Sequence, residues 1–172
     1  ERFKKYLKRD WLELTGNNKK EFAKFCEKHP KFVAKPTKES CGKGVEIIDS
    51  TDKKIYDLYN ELYNNKQILV EEIAVQCKKI SDLHPDSINT LRVVTLKGMV
   101  VTALLRIGNN HNNVDNFNHE GLCVPIDIED GIVKYQAIDK KGNLYEKHPI
   151  TKKEIVGFKV PKWNEVKKIC EQ

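Results

Sequence analysis

"KFVAKPTKESCGKGVEII", residues 31–48, decides how the rest of the chain is read. Two short apolar runs, "FVAK" and "GVEII", flank a loop, and each has the length and residue type of a strand. The segment therefore predicts a hairpin with Lys35 closing one strand and Lys43 in the loop between Gly42 and Gly44. Both glycines permit backbone conformations closed to other residues, so main-chain N–H groups can turn towards an anion such as a polyphosphate. The familiar phosphate loops do not fit. A P-loop lysine is followed by Ser or Thr that reaches magnesium, whereas Lys43 is followed by Gly44 and Val45. No G-x-G-x-x-G opens a helix, which removes the dinucleotide fingerprint.

Working outward, Phe3, Tyr6, Leu7, Trp11 and Leu14 recur at helical spacing and predict an amphipathic helix over residues 2–14, broken by "TGNN". A second helix is expected from Lys19 to Lys28, with Asn17 or Asn18 as N-cap, Phe22 and Phe25 inward, and His29-Pro30 as the stop. After the hairpin, Thr51 is expected to cap a helix carrying Ile55, Leu58, Tyr59 and Leu62, closed by Asn64-Asn65. "QILVEEIAV" reads as a central, buried strand ending on Glu71 and Glu72.

From Asn89 the pattern turns to strands: "NTLRVVTL", a Lys97-Gly98 turn, "MVVTALLRIG", "GLCVPIDI", a turn at Glu129-Asp130-Gly131, and "IVKYQAI". Between them the Asn- and Gly-rich residues 108–121 predict a long loop, and loops of that length in compact domains usually carry function. A last helix begins at "VPKWNEV", with Val166, Ile169 and Cys170 on one face, and the chain stops within it. The expected division is a first α+β layer over 1–70 and a strand-rich second layer over 71–172.

Composition limits the function classes. Apolar residues make up 39% and charged residues 33% of 172, which leaves no continuous apolar stretch for a membrane span. The charged N-terminus lacks an initiator Met and an apolar leader core, so it reads as an internal start. Five cysteines, odd in number and without a C-x-x-C pair, argue against a disulfide framework or zinc knuckle and suit a cytoplasmic protein. Net charge is +6, with 13 Lys and Arg against six acidic residues in positions 1–43, which favours an acidic partner. A nucleic-acid-binding role would rest on that charge alone, because no aromatic–basic platform accompanies it.

A lysine on a strand, a glycine- and lysine-bearing flap, and a strand ending in Glu-Glu one helix later resemble the ATP-grasp superfamily. The ordered set "FVAKPTKESCGKGVEII", "ILVEEIAV", "LHPDSINTLRVVTL", "LLRIGNNHNNVDNF", "HEGLCVPIDIEDG", "KHPIT" and "VPKWNEV" is similar to its sugar-transfer-associated branch over nearly the whole chain. The resemblance implies an α+β fold in which two layers with antiparallel sheets sandwich ATP. It implies that Lys35 meets the α- and β-phosphates, that Gly42, Lys43 and Gly44 form the flap over them, and that Glu71, Glu72 and Ile73 form the hinge that recognises adenine.

Alternation along "NTLRVVTL" puts Arg92 on the face shared with Thr90 and Val94. An arginine there can bind a γ-phosphate or acyl-phosphate in bidentate fashion, with Arg106 beside it. Asn116 resembles the loop asparagine of related ligases, and Asp115 could orient an amine or a metal-bound water. The spacing of His111, Asp115 and His119 would suit a metal only on a helix, which their Gly and Asn neighbours disfavour. His84 and His148, each before Pro, read as turn residues, and Trp11 and Trp163 as packing anchors.

The implied activity is an ATP-dependent carboxylate–amine ligase acting through an acyl-phosphate, in cell-surface polysaccharide biosynthesis, with small carboxylate and amine substrates. Its Mg2+ ligands would be an Asp and a Glu-x-Asn downstream of this chain. After residue 150 the acidic residues are only Glu154, Glu165 and Glu171, outside any such motif, so the polypeptide reads as a fragment. A nucleotide-binding module without turnover is the alternative.

Overall fold

β1 (Trp11–Glu13), α1 (Lys19–Lys28), β2 (Lys31–Lys35), β3 (Glu46–Asp49), α2 (Ile55–Asn64) and β4 (Leu69–Glu72) build the first of two units, which ends at Ala74. The computed structural model describes residues 6–39, 43–110 and 115–171, apart from the side chain of His119. The first unit is one antiparallel sheet in the order β1-β4-β2-β3 with both helices on one face. Phe32, Ala34, Ile48 and Val70 alternate towards that face and pack with Phe22, Phe25, Leu58, Tyr59 and Leu62. Phe22 meets Phe32 and Tyr59 edge-on, with centroids 5.8 and 5.5 Å apart. β4 is central, as its apolar run predicts.

The helix expected over residues 2–14 does not form in its described part. Trp11–Glu13 is a strand, with Trp11 opposite Glu71, Leu12 opposite Val70 and Glu13 opposite Leu69. "WLEL" satisfies a period of two as well as the helical one, and the edge of β4 supplies the backbone partners that settle the choice. Leu14 is buried and Leu12 packs on the core, while Trp11 faces the other side and is 49% exposed. Trp11 is therefore not a packing anchor. Phe3 lies outside the described residues. Thr51 does not cap α2 either: its hydroxyl donates to Asp49 Oδ1 at 2.7 Å, and Lys54 occupies the N-cap position.

The second unit begins at Val75. It contains α3 (Lys78–Ser81), β5 (Thr90–Leu96), β6 (Met99–Ile107), β7 (Leu122–Ile126), β8 (Ala137–Ile138), β9 (Leu144–Tyr145) and α4 (Trp163–Cys170). Its strands form an antiparallel meander in sequence order. Ala103, Leu105, Ile107, Leu122, Val124 and Ile126 face a core closed by Leu83, Val133, Ile155, Phe158, Val160 and Trp163. Trp163 is an anchor, as expected: its indole N–H donates to Ile128 O at 3.0 Å. Ile169 on α4 is 49% exposed. "IVKYQAI" contributes a bridge between Ile132 and Lys159 and the short β8, rather than one continuous strand.

The Asn-rich loop leaves β6 through a tightly held root. Gly108 N–H donates to Asn89 Oδ1 at 2.9 Å, and His148 Nε2 bonds Gly108 O at 2.8 Å. His148 Nδ1 accepts from the N–H groups of Ile150 and Thr151, so the neutral ring carries its hydrogen on Nε2. His84 bonds Ser87 Oγ and Asn110 O, at 2.9 and 2.8 Å. Both histidines are buried, with ring centroids 5.3 Å apart. They pin a loop, which fits the reading of both as turn residues.

Candidate functional site

Alternation along β4 sends its two consecutive carboxylates to opposite faces of the first sheet. Glu71 lies in the open-face row Trp11–Glu71–Val33–Ile47, away from the helices. Its Oε2 accepts from Lys35 Nζ at 2.6 Å and from Arg9 Nη2 at 3.0 Å. The Glu71 side chain is only 13% exposed, and burial alone would raise its pKa. Lys35 and Arg9 outweigh that effect and hold the carboxyl below its usual range. Lys35, expected at the phosphates, and Glu71, expected at the adenine hinge, are thus paired with each other. Ile73 follows β4 and is half-buried.

Glu72 turns the other way. Its Oε2 accepts Asp10 N–H at 3.0 Å, while Glu72 N–H donates to Asp10 O at 2.9 Å. Asp10 is also held by His29 Nε2 at 2.8 Å and by the ammonium of Lys28. The hydrogen bonds from Lys28 and His29 lower the Asp10 pKa. Asp10, His29 and Glu72 offer three potential ligand atoms within 4.8 Å of one another, a group that sequence spacing could not reveal because its members are far apart in the chain.

In the hairpin loop, Lys43 reaches Glu39 at 3.7 Å and is largely exposed. Gly44 has φ +71°, a left-handed conformation that favours glycine, and its carbonyl accepts from Gln67 Nε2 at 3.1 Å. Gly42 lies outside the described residues, as does His111.

The second sheet also has an open face. Register places Thr90, Arg106 and Cys123 in one cross-strand row and Arg92, Leu104 and Pro125 in the next. Arg92 is exposed and has no ion-pair partner among the described residues. Arg106 Nη2 donates to Asp115 Oδ1 at 3.0 Å, and the hydroxyl of Thr90 donates to Asp115 Oδ2. Each Asp115 oxygen therefore accepts one hydrogen bond within the protein. Arg106 Nε is buried without a partner. Asn116 Oδ1 accepts Asn118 N–H at 2.9 Å and caps the 3-10 turn at Phe117–His119. Cys123, half-buried beside the arginines, has its thiol pKa raised by burial.

The described residues do not fit a pair of magnesium ions. Glu154 is engaged by Lys147 at 2.7 Å and Glu165 by Lys162 at 3.4 Å. The Asp10, His29 and Glu72 group mixes nitrogen with oxygen and already holds the Lys28 ammonium, unlike an octahedral oxygen shell.

One antiparallel α+β unit thus carries a lysine–carboxylate pair on its open sheet face and the other carries arginines, groups able to receive an anion. The chain belongs to the sugar-transfer associated ATP-grasp family, whose model matches residues 11–172. Comparison with curated proteins and with solved structures gives no match. No helix among the described residues is long and apolar enough to cross a membrane.

Proposed function

We propose that this chain is the ATP-binding part of a cytoplasmic carboxylate–amine ligase, with its two units, divided after Ala74 rather than after residue 70, as nucleotide-handling subdomains. The observation that carries the reading is the Lys35–Glu71 pair on an open sheet face, within a chain of this family. Lys35 serves the α- and β-phosphates, and Lys43 with Gly42 and Gly44 closes over them. Preorganised ammonium groups screen the charge that would repel an incoming carboxylate, which is most of what phosphoryl transfer needs.

Because Glu71 is engaged by cations, the adenine amino group is served by backbone groups at Glu72 and Ile73. Arg92 and Arg106 take the transferred phosphoryl group, and Asn116 orders the loop that admits the second substrate. A carboxylate oxygen forms the new P–O bond as the bond to ADP breaks. The amine then attacks the acyl carbon, inorganic phosphate leaves, and the amine proton is lost to solvent. A sugar-linked substrate in cell-surface polysaccharide biosynthesis suits the family description.

Titrating the full-length protein with ATP and magnesium in a calorimeter should give a saturable heat. A flat isotherm up to millimolar ATP would end this reading. A second reading, nucleotide binding without turnover, is favoured by the engagement of Glu154 and Glu165 in ion pairs. ADP release that depends on both a carboxylate and an amine separates the two.

A further inference from the structure

Glu71 Oε2 is shared by two cations. Lys35 Nζ lies 2.6 Å away, and Arg9 approaches through Nη2 at 3.0 Å and Nε at 3.2 Å. One carboxylate against two cations leaves a local surplus of one positive charge on the open face. Lys35 is fixed on β2, whereas Arg9 arrives from the segment just before β1.

Any phosphate that recruits Lys35 must loosen it from Glu71. Without a second cation, that exchange would leave a poorly hydrated carboxylate facing a polyanion, an arrangement that costs affinity through both desolvation and repulsion. Arg9 is placed to prevent it. A purely structural role as a strap for the N-terminal segment is already filled by the reciprocal bonds between Asp10 and Glu72 and by the pairing of β1 with β4.

We infer that Arg9 is a positioning residue for nucleotide binding: it holds and neutralises Glu71 so that Lys35 can be given up to the phosphates. The inference rests on the proposed nucleotide site. It gives Arg9 a role distinct from direct phosphate contact, because its effect depends on Glu71 being charged.

The test is a double-mutant cycle on the full-length protein, titrated with magnesium-ATP and, as a phosphate-free probe, adenosine. Arg9→Ala should weaken ATP about tenfold, the order expected for one partly screened charge, and leave adenosine unchanged. Arg9→Gln, which keeps a donor near the place of Nε but neither the charge nor the full reach, should weaken ATP as much, and it stands in if Arg9→Ala does not fold. Adding Glu71→Gln to either variant should recover most of the loss, which a direct phosphate contact or a strap would not allow. If the unsubstituted protein fails to bind ATP, the nucleotide reading fails and this inference with it. If it binds, but the Arg9 variants match it or Glu71→Gln recovers nothing, the role of Arg9 alone is overturned.

Discussion

Replacing Asp115 by Ala removes the acceptor for two donors at once. Arg106 Nη2 loses its partner at 3.0 Å, and the Thr90 hydroxyl loses its own. The Asp115 and Arg106 side chains are only 11% and 19% exposed, and Arg106 Nε already lacks an acceptor, so water can repair little of the loss. Removing one member of a fully buried pair costs about 3–5 kcal/mol, and the remaining exposure of Arg106 brings the expectation here to about 2–3 kcal/mol.

Asp115→Asn, which keeps one oxygen for Arg106, should cost roughly half of that. The chain has two tryptophans, and only Trp163 lies in the core of the second unit, so its emission in a Trp11→Phe background reports on that unit. With a urea slope of about 1.5 kcal/mol/M, the Ala variant's midpoint should fall by about 1.3–2 M at unchanged slope. The double variant Arg106→Leu/Asp115→Ala should regain much of the loss, because no stranded charge remains. A midpoint within about 0.3 M of the parent for Asp115→Ala would refute the reasoning, since it would mean the pair behaves like a solvated surface contact.

Gly108→Ala should destabilise the second unit by about 3 kcal/mol in the same assay, because an added Cβ would lie 2.0 Å from Ser87 Oγ and 2.5 Å from His84 Nδ1. Burial lowers the His148 pKa below 6.5, so the unfolded chain takes up a proton that the folded one refuses. Stability should therefore fall as pH drops below about 6.5, and His148→Gln should flatten that part of a thermal-melt pH series. Among the described cysteines, exposed Cys77 should be alkylated first, as peptide mapping can show. Cys26, buried and pushed up to about 11, should react only as the first unit unfolds.

Much of the fold is legible from neighbours in sequence. Phe22 and Phe25 set α1 by helical spacing with Asn18 before them, and Lys31–Lys35 and Glu46–Asp49 pair as the hairpin pattern requires. β1 is not legible, because "WLEL" carries both periods and only the distant edge of β4 decides between them. The site follows the same rule. That Glu71 and Glu72 point apart could be read from strand alternation alone, whereas the grip of Arg9 on Glu71 spans 62 positions and leaves no local trace. The engagement of both Asp115 oxygens is equally hidden, since it depends on how the loop folds back onto β5 and β6.

The two open faces, each taken by itself, share a charge arrangement that the folding problem explains. The first sets Arg9 and Lys35 against Glu71, and the second sets Arg92 and Arg106 against Asp115. A wholly unpaired pair of cations would be costly to fold, and a fully paired set would have little pull on an anion. Two cations to one carboxylate lies between these limits. In the first unit both cations share Glu71, and in the second Asp115 holds the more enclosed Arg106 while Arg92 stands exposed, so each face keeps one positive charge in surplus. If the proposed nucleotide site uses this surplus charge, nucleotide affinity should weaken with added salt while the stability of either unit changes little.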